Sequence, residues 1–285
     1  MFMLTAAKNI KQNSLIHIQI LNIVKRNVML FYSIFAAILK QHFLGEVMSF
    51  AILFDQNLCI GCGACERGCQ EEHNLKIQKA TQLDQDSFTY VEEINSITLQ
   101  RHVCMHGLIP ACVSACPVSA LKKTENGAVI YNSTICLGCR YCLYVCPFDI
   151  PKYEYNSPLP RVRKCDFCYE SKTSKNLEPP CATQCPTGAT LFGEREQLLK
   201  IAHKRIAEKP EIYIEKVYGE KEAGGTSVLF LILKDGVKSR VVSSIPQFSL
   251  PSLTDYFLKK TPFFILFLGT FLGGMSFLTR RKNEI

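Results

Sequence analysis

The cysteines are the feature that most constrains this chain. It has 285 residues and 15 cysteines, which fall into four groups between residues 59 and 185. Disulfides use cysteines in pairs, so an odd count leaves one over, and small disulfide-bonded folds rarely reach this length. The spacing within each group therefore decides between a disulfide scaffold and metal ligation.

Two of the groups have the spacing of iron–sulfur ligands. The pattern Cys-x2-Cys-x2-Cys-x3-Cys occurs at Cys59, Cys62, Cys65 and Cys69, and again at Cys136, Cys139, Cys142 and Cys146, which Pro147 follows. This is the bacterial ferredoxin run, in which three cysteines wrap one cluster and the fourth ligates another. Structural zinc would use separate Cys-x2-Cys pairs, so zinc is a minor alternative.

The other two groups are the same motif with its middle gap lengthened. One consists of Cys165, Cys168, Cys181 and Cys185, followed by Pro186. The other consists of Cys104, Cys112 and Cys116, followed by Pro117, and it has Gly107 where the spacing requires a cysteine. The pattern is therefore one ligand short of four complete motifs, rather than scrambled.

Exchange of ligands between paired motifs predicts four metal sites. We pair the two outer motifs with each other and the two inner motifs with each other. The outer pair predicts one 4Fe–4S cluster on Cys59, Cys62, Cys65 and Cys185, and a second on Cys165, Cys168, Cys181 and Cys69. The inner pair predicts a third on Cys136, Cys139, Cys142 and Cys116, and leaves Cys104, Cys112 and Cys146 with three thiolates.

The three-thiolate site is expected to hold a 3Fe–4S cluster, or a 4Fe–4S cluster whose last iron takes water or a foreign ligand. Two alternatives stay open, namely a sequence error at Gly107 and a nearby residue in place of the thiolate. His106 is adjacent, but an adjacent residue cannot simply take over a corner of the cluster. A 3Fe–4S cluster usually has a higher potential, which would make this site an electron sink.

Charge and motifs exclude several classes of function. The net charge is +8, with a pI near 8.7, and the basic residues are spread along the chain. That pattern favours a solvated surface, or one that faces an acidic partner or lipid headgroups, over a nucleic-acid groove. The sequence has no phosphate-binding loop, G-x-G-x-x-G motif, Ser–His pair or paired carboxylates, so we expect no substrate chemistry.

The composition divides the chain into four segments. Residues 1–47 form an atypical extension, for which we rank a translation start at Met48 first, a degenerate export signal second and a membrane helix last. Residues 48–215 form the four-cluster domain, and 216–258 a strand and linker segment. Residues 259–285 are predicted to be a membrane anchor, because the uncharged run 262–278 lies between basic residues.

Two elements are predicted outside the cysteine motifs. The segment 198–213 is expected to form an amphipathic helix that ends at Pro210, with one apolar stripe. The stripe consists of Leu198, Leu199, Ile201, Ala202 and Ile206. The segment 217–232 is expected to form a glycine-containing turn that leads into a strand.

Several stretches of the sequence resemble a known family. The stretches "CMHG", "CVSACPVSALKK", "ICLGCRYCLYVCPFDIPKYEYNSP" and "RKCDFC" are similar to the four-cluster iron–sulfur subunits of membrane oxidoreductases. That family serves formate dehydrogenase, dimethyl sulfoxide reductase and, as the best match, hydrogenase-2-type uptake hydrogenases. The resemblance extends from Met48 to the C-terminus. The family typically has C-M-H-C in the second motif, so Gly107 is a departure, and Gln70 replaces the usual proline.

The resemblance implies an α+β fold of two ferredoxin-like pseudo-repeats, of the bacterial dicluster ferredoxin type, plus a C-terminal transmembrane helix. It implies a non-catalytic subunit that relays single electrons between a catalytic subunit and a quinone-reactive or cytochrome partner in the membrane. The catalytic subunit is expected to be a nickel–iron hydrogenase, with a molybdopterin enzyme as the alternative. A redox-sensing or assembly protein and a stand-alone enzyme are weaker interpretations.

The resemblance also implies a location. Members of this branch are commonly exported with a twin-arginine signal, which this sequence does not contain. A folded cluster protein could still be exported on the signal of a partner. We therefore expect a single-pass protein of the cell membrane with its cluster domain in the periplasm. A cytoplasmic location of the cluster domain is the alternative.

Overall fold

The computed structural model describes residues 49–96, 98–234 and 245–282, so the predictions for 1–47 lie outside the described residues. The strands are β1 (Phe50–Asp55), β2 (Thr89–Glu93), β3 (Leu99–Val103), β4 (Leu121–Lys123), β5 (Val129–Tyr131), β6 (Lys152–Tyr153), β7 (Val162–Arg163), β8 (Thr190–Glu194) and β9 (Val228–Leu231). The α-helices are α1 (Ala64–Glu72), α2 (Ala111–Ser114), α3 (Tyr141–Tyr144), α4 (Pro180–Thr183), α5 (Arg195–Glu208) and α6 (Leu250–Lys282). Helices and strands are mixed along the chain, in agreement with the prediction.

A three-stranded sheet joins distant parts of the chain. Strand β1 is central, with β8 antiparallel on one side and β9 parallel on the other. Strands β2 and β3, β4 and β5, and β6 and β7 form three separate antiparallel pairs. The sheet therefore closes the domain by joining its first strand to strands about 140 and 180 residues later in the sequence.

The central strand separates two parts of the core. Successive side chains of a strand point to opposite faces, so Leu53 packs in a cluster with α5, whereas Ile52 and Phe54 pack in a cluster that contains Cys69 and Cys165. One face of the sheet thus supports a helix, and the other face supports the cysteines. A third, smaller cluster of buried residues surrounds Cys112 and Cys142.

The predicted helix at 198–213 is present as α5. Leu198, Leu199 and Ala202 are buried, and Ile206 packs against the same cluster. Ile201 is instead 39% exposed, so the predicted stripe was wrong at this position. At 3.6 residues per turn, Ile201 falls outside the arc that the other four residues share.

The predicted turn and strand at 217–232 are also confirmed. Gly219 has φ +94°, and a Cβ atom there would lie 2.4 Å from the carbonyl oxygen of Val228. Only glycine satisfies both conditions without a shift of the backbone. The turn leads into β9, all four residues of which are buried.

The C-terminal helix α6 exposes many apolar side chains, including Phe264, Ile265, Leu266 and Phe267. Among the residues that the structure describes, no helix meets the length and apolarity needed to cross a membrane. The transmembrane helix predicted within 259–285 is therefore not supported. Its uncharged run, 262–278, is shorter than the roughly 20 apolar residues that a spanning helix needs.

Candidate metal centres

Each cysteine motif is a loop followed by a short helix. Left-handed residues turn the loops, namely Gly61 and Gly63 before α1, and Gly138 and Arg140 before α3. Five of the cysteines then lie on the helices, with Cys65 and Cys69 on α1, Cys112 on α2, Cys142 on α3 and Cys181 on α4. All 15 cysteines lie in the described part of the chain, and none of them forms a disulfide.

The first group brought together is the Cys59 site, consisting of Cys59, Cys62, Cys65 and Cys185. Burial raises the pKa of the Cys59 thiol, and the nearby Cys185 and Cys62 raise it further. Burial also raises the pKa of Cys65 to about 11, and Cys59 adds to that effect. Cysteines from the first and the last motif are therefore electrostatic neighbours.

The second group is the Cys165 site, consisting of Cys69, Cys165, Cys168 and Cys181. Burial raises the pKa of Cys69 well above its usual range, and Cys165 and Cys181 contribute to the rise. Burial has the same effect on Cys168, to which Cys165, Cys181 and Cys69 add. The fourth cysteine of the first motif thus lies among those of the last motif.

The third group is the Cys136 site, consisting of Cys116, Cys136, Cys139 and Cys142. Burial raises the pKa of Cys142 to about 11, and Cys136, Cys139 and Cys116 contribute. Backbone amides donate to two of the sulfurs, from Ala120 to Cys116 Sγ at 3.1 Å and from Gly138 to Cys136 Sγ at 3.4 Å.

The fourth group is the Cys104 site, consisting of Cys104, Cys112 and Cys146. Burial raises the pKa of Cys112 to about 12, with contributions from Cys104 and Cys146. Burial likewise raises the pKa of Cys146 to about 11, and Cys104 contributes. Bare thiols with such pKa values stay protonated at neutral pH, so a bound metal would be needed to hold them as thiolates.

A cavity of about 70 Å³ adjoins the Cys104 site. Its lining includes the three cysteines of the site, Gly107, Pro110, Pro147 and, from the C-terminal segment, Pro246, Phe248, Leu250 and Pro251. A Cβ atom added at Gly107 would lie 3.5 Å from Pro110 Cα, an ordinary contact. The missing side chain therefore leaves space rather than a filled core.

His106 does not occupy that space. Its Nε2 atom lies 3.5 Å from Cys165 Sγ, and its Nδ1 atom accepts a hydrogen bond from the Val129 amide at 2.8 Å. The imidazole is fully buried and contacts the ring of Phe167. The structure thus directs His106 to the Cys165 site and away from the position that the sequence leaves open.

The four sites are connected in a linear order. Cys142 of the Cys136 site contributes to the raised pKa of Cys112, which belongs to the Cys104 site. Cys104 in turn contributes to that of Cys165, and Cys181 contributes to that of Cys65. The order is therefore the Cys136, Cys104, Cys165 and Cys59 sites.

Buried cations test whether an anionic cluster fits these sites. Arg101, on β3, is fully buried, and in the described part of the chain no carboxylate forms an ion pair with it. Although burial opposes its charge, the nearby Cys181, Cys65 and Cys165 raise its pKa. A buried cation needs a counter-charge, and an iron–sulfur cluster held by thiolates supplies one.

Two lysines are placed in a similar way near the Cys104 site. Lys164 is buried and donates to the carbonyl oxygens of Val129 and Cys165. Lys123 donates to the carbonyl oxygens of His106 and Gly127, and burial lowers its pKa to about 7, although Cys104 counteracts this. The cysteines and the cations together therefore fit iron–sulfur clusters.

Sequence reasoning missed most of these basic residues. Arg101 and His73 lie in different motif intervals from Cys181 and Cys168, the sulfurs that they approach. A period-2 pattern places Arg101 on one face of β3, but no sequence signal indicates that this face meets cysteines. Only the pairing of distant segments brings them together.

Part of the chain matches a family of iron–sulfur domains. Residues 96–195 match the 4Fe-4S dicluster domain family, in agreement with the mixed fold and the clustered cysteines. A protein of Nitratidesulfovibrio vulgaris is 35% identical over 260 residues, which cover 85% of this chain and 70% of the relative.

Two further relatives identify the family. The hydrogenase-2 operon protein HybA of Escherichia coli O157:H7 is 36% identical over 228 residues, or 64% of this chain and 70% of the relative. The formate dehydrogenase iron–sulfur subunit of Haemophilus influenzae is 33% identical over 217 residues, or 69% and 68%. The chain belongs to this family of electron-transfer iron–sulfur subunits, as the sequence motifs predicted.

Proposed function

We propose that the protein relays single electrons between a catalytic subunit and a membrane partner through four iron–sulfur clusters. The observation that supports this most directly is the linear order of the four cysteine sites. Each cluster would store one electron and pass it to its neighbour. The protein's own part is to bury the clusters, exclude water and surround them with hydrogen-bond donors.

Both ends of the order reach the surface, which supports a relay. Cys62, in the Cys59 site, and Cys139, in the Cys136 site, are exposed. Exposed apolar side chains lie beside them in the sequence, with Ile60 64% and Leu137 70% exposed. Exposed apolar residues next to a redox centre are suitable for contact with a partner protein.

The cluster types follow from the ligand sets. The Cys59, Cys165 and Cys136 sites each have four thiols and would hold 4Fe–4S clusters. The Cys104 site has three thiols and would hold a 3Fe–4S cluster, or a 4Fe–4S cluster with a different ligand on one iron. The space at Gly107 supports the absence of a protein ligand there.

The names of the relatives support two catalytic partners. Similarity to HybA favours a nickel–iron large subunit, and similarity to the formate dehydrogenase subunits makes a molybdopterin subunit the alternative. A redox-sensing or assembly role has less support, because such proteins bind clusters labilely, whereas buried cations here are placed to stabilise anionic clusters. No nucleic-acid partner is proposed.

Localisation belongs to the proposal as well. The exposed apolar side chains of α6 support attachment to a cell membrane or to a subunit embedded in one. By family resemblance, the cluster domain would face the periplasm. Spheroplast protease protection tests this placement, since a periplasmic domain is digested in intact spheroplasts and a cytoplasmic one only after lysis.

The proposed function is tested by anaerobic purification from native membranes in mild detergent. Iron and sulfide analysis counts the clusters, and mass spectrometry identifies the subunits that copurify. A nickel–iron large subunit would support the hydrogenase branch, and a molybdopterin subunit the alternative. Isolation of the chain alone with all clusters stably bound would contradict a role as a subunit.

A further inference from the structure

The Cys165 site is surrounded by three basic side chains. His106 approaches Cys165, His73 approaches Cys168, and Arg101 approaches Cys181. The two imidazoles direct a nitrogen towards different sulfurs of this site, and Arg101 places a positive charge near a third.

The hydrogen bond from His106 has a defined direction. Its Nδ1 atom accepts the Val129 amide at 2.8 Å and therefore has no proton. An imidazole whose Nδ1 atom accepts a hydrogen bond is neutral. Its proton then lies on Nε2, which donates to Cys165 Sγ at 3.5 Å.

His73 lies on the other side of the site. Its Nε2 atom is 3.6 Å from Cys168 Sγ and 3.3 Å from Asp166 Oδ1. The Asp166 carboxylate also accepts the backbone amide of Cys168 at 2.8 Å. The imidazole is therefore held between the carboxylate and the sulfur, and its ring contacts Phe88.

Arg101 contributes a full charge. Its Nε donates to Thr89 Oγ1 at 3.0 Å and its Nη1 to Thr190 Oγ1 at 3.2 Å, which fix the orientation of the guanidinium. The positive charge of the guanidinium lies close to Cys181 of the Cys165 site and to Cys65 of the Cys59 site. Arg101 is thus a fixed charge near two sites, whereas each imidazole approaches a sulfur of the Cys165 site alone.

The Cys136 site is different. Backbone amides of Ala120 and Gly138 donate to two of its sulfurs, and the hydroxyl of Tyr131 lies near Cys136. Reduction adds one negative charge to a cluster, and N–H donors and nearby cations stabilise that charge. Imidazole nitrogens at two sulfurs and the charge of Arg101 therefore favour the reduced state at the Cys165 site.

We propose that His73, Arg101 and His106 raise the reduction potential of the Cys165-site cluster above that of the Cys136-site cluster. The step is a one-electron reduction by an adjacent cluster, with no bond broken and no proton transferred. This inference rests on the proposed binding of four clusters. These side chains are positioning residues for the charge on the cluster.

The test is an EPR-monitored redox titration of the purified full-length holoprotein. His106→Leu and His73→Phe each remove a donor. Each variant is expected to lower the midpoint potential of one 4Fe–4S cluster, so that the equilibrium constant for its reduction falls severalfold. Arg101→Met removes a charge. It is expected to lower the equilibrium constant for reduction about tenfold, which corresponds to 59 mV in the midpoint potential for one electron. Cys69→Ser, a change of a proposed ligand, identifies the signal of that cluster.

Matched variants separate a change of potential from a structural defect. His106→Gln and His73→Gln retain an N–H group and are expected to restore most of the midpoint. His203→Leu is the control, because His203 is exposed on α5 and pairs with Glu220. Arg101→Lys keeps the charge if Arg101→Met fails to fold.

The outcomes distinguish the two proposals. Fewer than four clusters in the wild type, by iron, sulfide and EPR analysis, would contradict the proposed function itself. Four clusters with midpoints unchanged in His106→Leu and His73→Phe would overturn only the present inference. Equal shifts of all the midpoints in the two histidine variants would also overturn it, because each imidazole approaches a sulfur of the Cys165 site alone.

Discussion

The Cys165 site and the Cys104 site are neighbours, but they differ in the number of their thiols and in the groups that surround them. The Cys165 site has four thiols, imidazole nitrogens at two of them and the charge of Arg101 near a third. The Cys104 site has three thiols, a glycine at the fourth position and an adjoining cavity. In the proposed relay, the protein would adjust one cluster through hydrogen bonds and charge and the other through the number of its ligands.

The segment at His106 borders both sites. His106 has a left-handed backbone, with φ 47°, a conformation that is uncommon for residues other than glycine. Its Nε2 atom approaches Cys165, although the residue also lines the cavity of the Cys104 site together with Gly107. One turn of the chain therefore contributes to the surroundings of two neighbouring sites.

The largest expected effect is the loss of both sites when the clusters are removed. Anaerobic chelation is expected to abolish the cooperative thermal transition, because buried thiols and cations would lose their counterparts and metal binding is coupled to folding. Circular dichroism measures the transition, and iron-saturated chelator is the control. A metal-free chain that melts cooperatively at the same temperature would contradict this prediction.

Gly107→Cys tests the difference in ligand number between the two sites. The added thiol is expected to complete the Cys104 site, abolish the 3Fe–4S EPR signal of the oxidised protein and add one iron per chain. Gly107→Ala is the matched control, since it adds the same Cβ atom without a thiol and should keep the signal. Four intact 4Fe–4S clusters in the wild type would disprove the prediction.

Lys123→Met tests the electrostatic surroundings of the Cys104 site. Cys104 and Cys112 are charged neighbours of Lys123, so loss of the cation is expected to lower the midpoint of that cluster. The equilibrium constant for reduction should fall by less than about tenfold, or 59 mV in the midpoint potential. EPR-monitored titration measures the shift. Lys122→Met, at the exposed neighbouring position, should leave the midpoint unchanged.

The smallest expected effect lies outside both sites, at Tyr213. Its hydroxyl donates to Asp55 Oδ1 at 3.0 Å, and burial followed by the Asp55 charge raises its pKa to about 12. The unfolded tyrosine ionises near pH 10, so this contribution to stability is complete below pH 10 and is lost as pH rises towards 12.

Tyr213→Phe tests this assignment in chemical denaturation measurements from pH 8 to pH 12. The variant should lose less free energy of unfolding between pH 10 and pH 12 than the wild type. An identical loss in both proteins would assign the effect to other groups. The cluster midpoints at neutral pH should be the same in both proteins, which separates this region from the metal sites.

Local patterns were predictable from the sequence. The stripe Leu198, Leu199 and Ala202 follows from helical periodicity, and the turn before β9 follows from its glycines. Ile201 was wrongly placed because it borders the stripe. The family was identifiable because cysteine spacing is fixed by cluster geometry, which depends on few residues.

Long-range relations were not predictable. The parallel pairing of β1 with β9 has no local signal, and neither does the burial of Arg101 between cysteines of two sites. The transmembrane prediction relied on an uncharged run near the minimum length, where hydropathy discriminates poorly. Such features depend on which surfaces meet after folding.

The interleaving of distant motifs has a consequence for biogenesis. During synthesis, the chain would have all proposed ligands of the Cys136 and Cys104 sites once Cys146 has emerged, but the Cys59 site has to wait for Cys185. Strand β9 comes still later and completes the sheet beside β1. A ribosome stalled between Cys146 and Cys185 would therefore hold a nascent chain with complete ligand sets for two of the four sites, and the maturation machinery would have to leave the first motif incomplete until Cys185 has been made.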